Sequence, residues 1–301
     1  MNFFMELLLL LVTIMYSYIE AFVKLFMPVK RKSVCGEIVL ITGAGHGIGR
    51  HTAYEFANHQ SRLVLWDINK NSIEETAAEC RRLGATAHAS VVDCSKKEEI
   101  YRAAEKVKKD IGDVNILVNN AGVITAADLL STQDHEIQKI FEVNILAHYW
   151  TTKAFLPAMM RNNHGHIVTV ASAAGHFVVS FLVTYCSSKF AAVGFHKALT
   201  QELSALGKDG IKTSCLCPVF VNTGFLKNPC SRIDILEPEK VANKLLKGIL
   251  TNQEMIFIPS SLKMNIMMEH ILPERARAAL RKLQKIKFDA IVGYRNRVIS
   301  D

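Results

Sequence analysis

From Phe3 to Met27 nearly every residue is apolar, and the exceptions Asn2, Glu6, Thr13, Ser17, Glu20 and Lys24 recur at intervals of three, four and seven. At about 100° per residue this spacing gathers them on one narrow stripe of a helix. The apolar run is long enough to span a bilayer. A continuous polar stripe with ionisable groups instead favours a helix lying in one leaflet or packed against a partner. A cleaved leader is disfavoured, because no basic region precedes the run and no small-residue cleavage site follows it.

After residue 36 the period changes. "EIVLITG", "RLVLWD", "AHASVVD", "VNILVNNAG", "GHIVTVASAAG", "IKTSCLCPVF" and "MIFIP" are short apolar runs, and amphipathic helical stretches separate them. Strands alternating with helices predict an α/β fold, a doubly wound parallel sheet of about seven strands. No break in composition interrupts residues 37–260, which read as one domain. Beyond Pro259, apolar Ala276, Ala279, Leu280, Leu283 and Ile286 are interleaved with basic residues, predicting an amphipathic tail helix with a cationic face. The expected organisation is therefore an anchor at 1–28, a basic linker at 29–36, the α/β domain at 37–260 and an amphipathic tail at 261–301.

Charge refines that picture. The chain of 301 residues carries a formal charge of +8, concentrated in Lys30, Arg31 and Lys32 and in the tail at Arg275, Arg277, Arg281, Lys282, Lys285, Lys287, Arg295 and Arg297. Both clusters adjoin apolar stretches, which points to an anionic lipid surface and away from nucleic acid. Seven cysteines, an odd number, occur without a CxxC pair, and no metal-ligand spacing is present. Cys215 and Cys217 read as small core residues of a strand. With no glycosylation sequon in the chain, the domain is expected to face the reducing cytosol.

The strand ends carry the chemistry. "TGAGHGIG" places Gly43, Gly47 and Gly49 between an apolar strand and a helix, where backbone N–H groups can cradle a pyrophosphate. Asp67 ends the next strand, twenty residues after Gly47, where a carboxylate accepts from a ribose diol and repels a 2′-phosphate; NAD is expected over NADP. Asp93, Asn119, Asn120, Ser172, Pro218 and Thr223 fall at further strand ends, converging on one edge of the sheet. Tyr185 and Lys189 lie four residues apart on one helical face, so an ammonium stands near a phenol and favours its ionised form. Asn144 sits mid-helix, a position that suits asparagine poorly and marks a site or a kink.

Thr42–Gly49, Asn119–Gly122, Asn144, Ser172 and the Tyr185–Lys189 pentapeptide resemble the short-chain dehydrogenase/reductase family in order and spacing, over about residues 36–260. The resemblance implies hydride transfer, with Tyr185 taking the alcohol proton and Ser172 hydrogen-bonding the reacting oxygen. Lys189 would hold the nicotinamide ribose and lower the Tyr185 pKa, and Asn144 would position a relay water. It further implies that Gly43, Gly47, Ile48 and Gly49 line the pyrophosphate, with Asp67 on the adenosine ribose, Asp93 near the adenine and Asn120 under the central ribose. Pro218, Val221 and Thr223 would cover the nicotinamide. The apolar N-terminus matches lipid-droplet and endoplasmic-reticulum members, implying a domain held at a lipid monolayer or bilayer, commonly as a homodimer. Substrate specificity is expected from "HFVVSFLVT" and from the segment after Thr223; the first, almost wholly apolar, suits a steroid, a retinoid or a fatty alcohol. A non-catalytic NAD-binding scaffold and an NADPH-dependent ketone reductase are the alternatives.

Overall fold

The computed structural model describes residues 3–24, 27, 30–226, 228, 234–284, 286 and 288–293, leaving out the side chains of 21, 24, 270 and 280–284. Asn2, Pro28, much of the segment after Thr223 (227 and 229–233), Lys285, Lys287, Arg295 and Arg297 lie outside the described residues, as do the side chains of Lys24, Leu280, Arg281, Lys282 and Leu283. The chain divides into two compact units, Met1–Ser33 and Val34–Asp301.

The first unit contains helix α1 (Phe3–Lys24), whose stretch Phe3–Glu20 is long and apolar enough to cross a membrane. Two members of the polar stripe satisfy themselves within the helix. Thr13 Oγ1 donates to the Leu9 carbonyl and Ser17 Oγ to the Thr13 carbonyl, both at 2.8 Å. Hydroxyls bonded back to their own helix ask less of the surroundings than the sequence pattern suggests.

The second unit is built on seven parallel strands: β1 (Ile38–Thr42), β2 (Arg62–Asp67), β3 (Ala87–Val91), β4 (Ile116–Asn119), β5 (Gly165–Val170), β6 (Ile211–Pro218) and β7 (Met255–Ile258). Their order is β3-β2-β1-β4-β5-β6-β7. Alternate residues face opposite sides. Val39 and Ile41 join Phe56, Leu63, Leu65, Leu245 and Ile249 on one face, while Leu40 joins Trp66, Ile100, Leu117, Phe155 and Met159 on the other. Helices α2 (Gly47–Asn58), α3 (Lys70–Arg82) and α8 (Pro238–Leu250) cover the first face; α4 (Lys97–Asp110), α6 (Ala147–Asn162) and α7 (Val183–Ala205) cover the second. Both faces being buried, the strands read as unbroken apolar runs instead of alternating ones.

Helix α5 (Asp134–Phe141) joins α6 through a π turn, Glu142–Leu146, that contains Asn144. After β7 the chain forms α9 (Leu262–Ile271) and α10 (Glu274–Gln284), and Ile291 then makes a parallel bridge with Ala127 in the loop after β4. The described tail thus belongs to the domain's own packing: Leu262 is buried and Phe288 packs beside Leu182 and Cys186.

Candidate active site

The chain order reverses between β2-β1 and β4-β5, and ligands of doubly wound sheets bind beyond the carboxyl ends of the strands at such a point. Here the ends of β1 and β4 are stitched together. Thr42 Oγ1 accepts from the Asn120 and Ala121 N–H groups, both at 3.0 Å, and Asn120 Nδ2 donates to the carbonyls of Thr42 (2.9 Å) and Gly43 (3.1 Å). Gly43 takes φ +65°, and a Cβ there would stand 2.8 Å from Ala121 Cα. A Cβ on Gly49 would run into the Gly43 carbonyl oxygen. Glycine is needed at both places so that the start of α2 can press against the turn.

The residue before α2, His46, caps it with no side-chain hydrogen bond, and its first turn holds no acid. Neither its cap nor its first turn therefore sets an anion against the leading N–H groups, which leaves them suited to a pyrophosphate. Asp67 closes this side: Oδ2 accepts from the Gly45 N–H and Oδ1 from the Asn69 N–H, both at 2.9 Å. Ionised, each oxygen keeps a lone pair for a ribose hydroxyl. These features fit a nicotinamide dinucleotide.

Across the cleft, Gly175 lies against the α7 backbone, where a Cβ would come within 2.7 Å of the Lys189 carbonyl. That approach carries the turn after β5 toward the tyrosine: the Ser172 side chain accepts from the Ala174 N–H at 3.1 Å and lines the same cleft as Tyr185. Lys189 is buried, donates to the Val170 carbonyl at 2.9 Å and lies 5.7 Å from the centre of the Tyr185 ring. Burial pushes the lysine down to about 8. Part of the tyrosine lines the cleft, yet burial raises its hydroxyl to about 12 against the opposing Ser172 hydrogen bond. Among the protein's own groups desolvation outweighs the Ser172 contact, while the Lys189 ammonium is turned toward the Val170 carbonyl.

Gly43, Gly47, Ile48, Asp67, Asn120, Ser172, Tyr185, Lys189, Pro218, Val221 and Thr223 all line one cleft of about 290 Å³. Three expected residues do not. Gly49 lies behind the turn as a packing position. Asp93 is held by its own neighbourhood, with Ser95 donating to Oδ1 at 2.6 Å and Lys139 Nζ 3.4 Å away; burial pushes its carboxyl up, and these contacts bring it below the usual value. Asn144 accepts from the Val123 N–H (2.8 Å) and donates to the Val123 carbonyl (2.9 Å) and Ser188 Oγ (3.0 Å), tying the π turn to the loop after β4 and to α7. Sequence reasoning missed His46, Leu262, Asn265 and Ile286 in the cleft wall. Only His46, inside the glycine turn, carried a local signal.

The sequence pattern of short chain dehydrogenases matches residues 37–232. The chain belongs to the short-chain dehydrogenase/reductase family. It is 65% identical to 17-beta-hydroxysteroid dehydrogenase 13 of Homo sapiens, covering 98% of this chain and 99% of that one. It is 64% identical to estradiol 17-beta-dehydrogenase 11 of Mus musculus, covering 99% and 100%. Identities this close assign it to neither type. Among solved structures, a short-chain dehydrogenase/reductase from Burkholderia phymatum in complex with NAD matches with a TM-score of 0.73 at 26% identity, covering 79% of this chain and 94% of that one. Another match was solved with NADP. The chain is an oxidoreductase whose fold binds a nicotinamide dinucleotide.

Proposed function

We propose that this dehydrogenase oxidises a lipophilic alcohol with NAD, acting at a lipid surface. The observation that carries the reading is the meeting of two unlike compartments at one hydroxyl. Tyr185 and Ser172 line one cleft with the glycine turn and Asp67 of its polar part and with Phe177, Val179, Leu182 and Leu226 of an apolar chamber. Val178 and Phe225 line the same cleft and remain exposed, giving it an apolar mouth. The names of the relatives, a 17-beta-hydroxysteroid dehydrogenase and an estradiol dehydrogenase, support a steroid-like alcohol. A retinoid or a long-chain alcohol satisfies the same walls.

Bound NAD supplies the hydride acceptor and a positive ring that favours a nearby phenolate. Tyr185, ionised, takes the hydroxyl proton of the alcohol as its C–H hydride leaves. Ser172 holds the reacting oxygen. Lys189 holds the nicotinamide ribose and adds positive charge beside the phenol. Asn144 acts as a positioning residue; both hydrogens of its amide are committed, so a relay water here would draw on the backbone of the π turn. Gly49 supports the pyrophosphate turn from behind. Asp93 would meet an adenine through Oδ2, since Ser95 takes only Oδ1.

Helix α1 and the basic residues after it would hold the catalytic domain on the cytosolic face of a lipid droplet or the endoplasmic reticulum, as a homodimer. The test is NADH formation by the full chain with lipid present, over estradiol, retinol and hexadecanol. Turnover of at least one is expected, with Tyr185→Phe lowering it about 1,000-fold and sparing NAD affinity. NAD binding without turnover of any alcohol would overturn the enzymatic reading in favour of a scaffold.

A further inference from the structure

The turn that carries Ser172 has a front and a rear. Ser172, Ala173, Ala174 and Phe177 line the cleft, whereas Gly175 and His176 are not among its lining residues. The segment Ala173–Gly175 is a single 3₁₀ turn, in which the Gly175 N–H donates to the Ser172 carbonyl at 3.0 Å and the His176 N–H to the Ala173 carbonyl at 2.9 Å. These bonds set the internal shape of the turn. Its place against the rest of the domain is set from the rear.

Gly175 faces α7, where a Cβ would meet the Val193 side chain at 2.8 Å as well as the Lys189 carbonyl. His176 faces the sheet. Its Nε2 lies 3.5 Å from Cys217 Sγ in β6, and its ring meets the Phe257 ring of β7 edge-on, 5.4 Å between centres. Cys217 is wholly buried, and the contact with Cys215 Sγ at 3.7 Å together with burial pushes its thiol well above the ordinary value. A thiol that stays S–H can donate to a bare Nε2 or accept from a protonated one, so the bond forms with either tautomer. Contact with the apolar cluster around Phe257 asks only for an apolar side chain, since burial has no direction. The nitrogen aimed at Cys217 adds one, because a hydrogen bond constrains both distance and angle.

We propose that His176 is a positioning residue for the reaction, tying the turn after β5 to Cys217 and Phe257 so that Ser172 Oγ stays where the reacting oxygen is held. The assignment deepens the reading of Ser172 as the group that holds that oxygen and rests on it for the reaction. The tie itself is measurable without turnover.

The full chain, loaded with NAD in mixed micelles, is compared with three variants. His176→Phe keeps a ring against Phe257 and removes the nitrogen, His176→Gln returns a polar end to that position, and Cys217→Ala removes the other partner. Hydrogen exchange of the Gly175, His176 and Phe177 amides reads the turn, and single-turnover NADH formation from estradiol and hexadecanol reads the reaction. His176→Phe and Cys217→Ala should each speed exchange in the turn and slow the turnover about 10-fold, as expected for losing one hydrogen bond. His176→Gln should recover most of both, and NAD affinity should stay near wild type in all three. Ser172→Ala decides whether the effect runs through the serine: in that background His176→Phe should cost less than about 2-fold. The same loss in both backgrounds would reduce His176 to packing and overturn the proposal. So would exchange unchanged by either variant, or NAD affinity falling in step with the rate. Faster exchange in both variants of a chain that binds NAD and oxidises neither alcohol would uphold the tie and overturn the dehydrogenase reading alone.

Discussion

The two sides of the cleft are made from different physics. On the cofactor side the shape is backbone: Thr42, Gly43, Asn120 and Asp67 each meet a main-chain partner, and the glycines sit where a Cβ would collide. On the catalytic side the polar groups are fixed against their electrostatic preference, with Tyr185 at about 12 and Lys189 at about 8, both driven by burial. One side should answer chiefly to shape. The other should answer chiefly to charge.

Removing the buried charge should break the comparison most visibly. Because the folded Lys189 falls from 10.5 to about 8, the unfolded chain binds its proton more avidly between those values. The lysine's contribution to stability therefore rises with pH from 8 to 10.5, and below pH 8 the folded chain carries the full penalty. Lys189→Met should lower turnover about 1,000-fold and at the same time raise stability at pH 7 by up to about 3 kcal/mol. That gain should fade as the pH approaches 10.5. Thermal unfolding followed across this range decides the matter; a variant less stable at pH 7 would show that the bond to the Val170 carbonyl outweighs desolvation.

The cofactor side should respond to volume. Gly49→Ala drives a methyl group into the Gly43 carbonyl and within 2.5 Å of Asn120 Nδ2, prising apart the two strand ends. A loss of about 2 kcal/mol is expected, together with weaker NAD binding and no change in pH profile. Gly194→Ala in α7 is the control, since a Cβ there meets nothing within 4 Å. It should be neutral or stabilising by up to about 1 kcal/mol. Urea unfolding of the pair separates crowding from helix propensity, and equal effects would remove the argument from close approach.

Much of this was legible in the sequence because it is local. The glycine turn, the acid ending β2 and the tyrosine one turn before a lysine each lie within a short window whose period states its own geometry. Asn144 was legible as an anomaly, and the π turn around it is the physical form of that anomaly. What escaped depends on contacts remote in sequence. Lys139 captures Asp93 from 46 residues away. The tail's apolar residues show the spacing of an amphipathic helix whatever they pack against, so Ile286 gave no sign that it belongs to the cleft. His148, held near 3 by burial and the nearby Lys189, looks in the sequence like any polar residue of a helix.

The smallest effect, and the one that sharpens the contrast, belongs to Asp67. Its carboxylate is the one ionisable group of the cofactor side whose charge is expected to matter, because it faces a ribose diol in NAD and a phosphate in NADP. Asp67→Asn removes the repulsion, but its amide can accept only one of the two backbone bonds from Gly45 and Asn69. NAD should therefore bind about 10-fold more weakly, in keeping with the loss of a hydrogen bond to a charged acceptor. NADP should gain less than NAD loses, since no cation replaces the carboxylate. Dissociation constants for both dinucleotides test this, and the ratio is more informative than either value. A ratio unchanged by the substitution would mean that Asp67 serves only to hold the turn, and preference for NAD would then need another source.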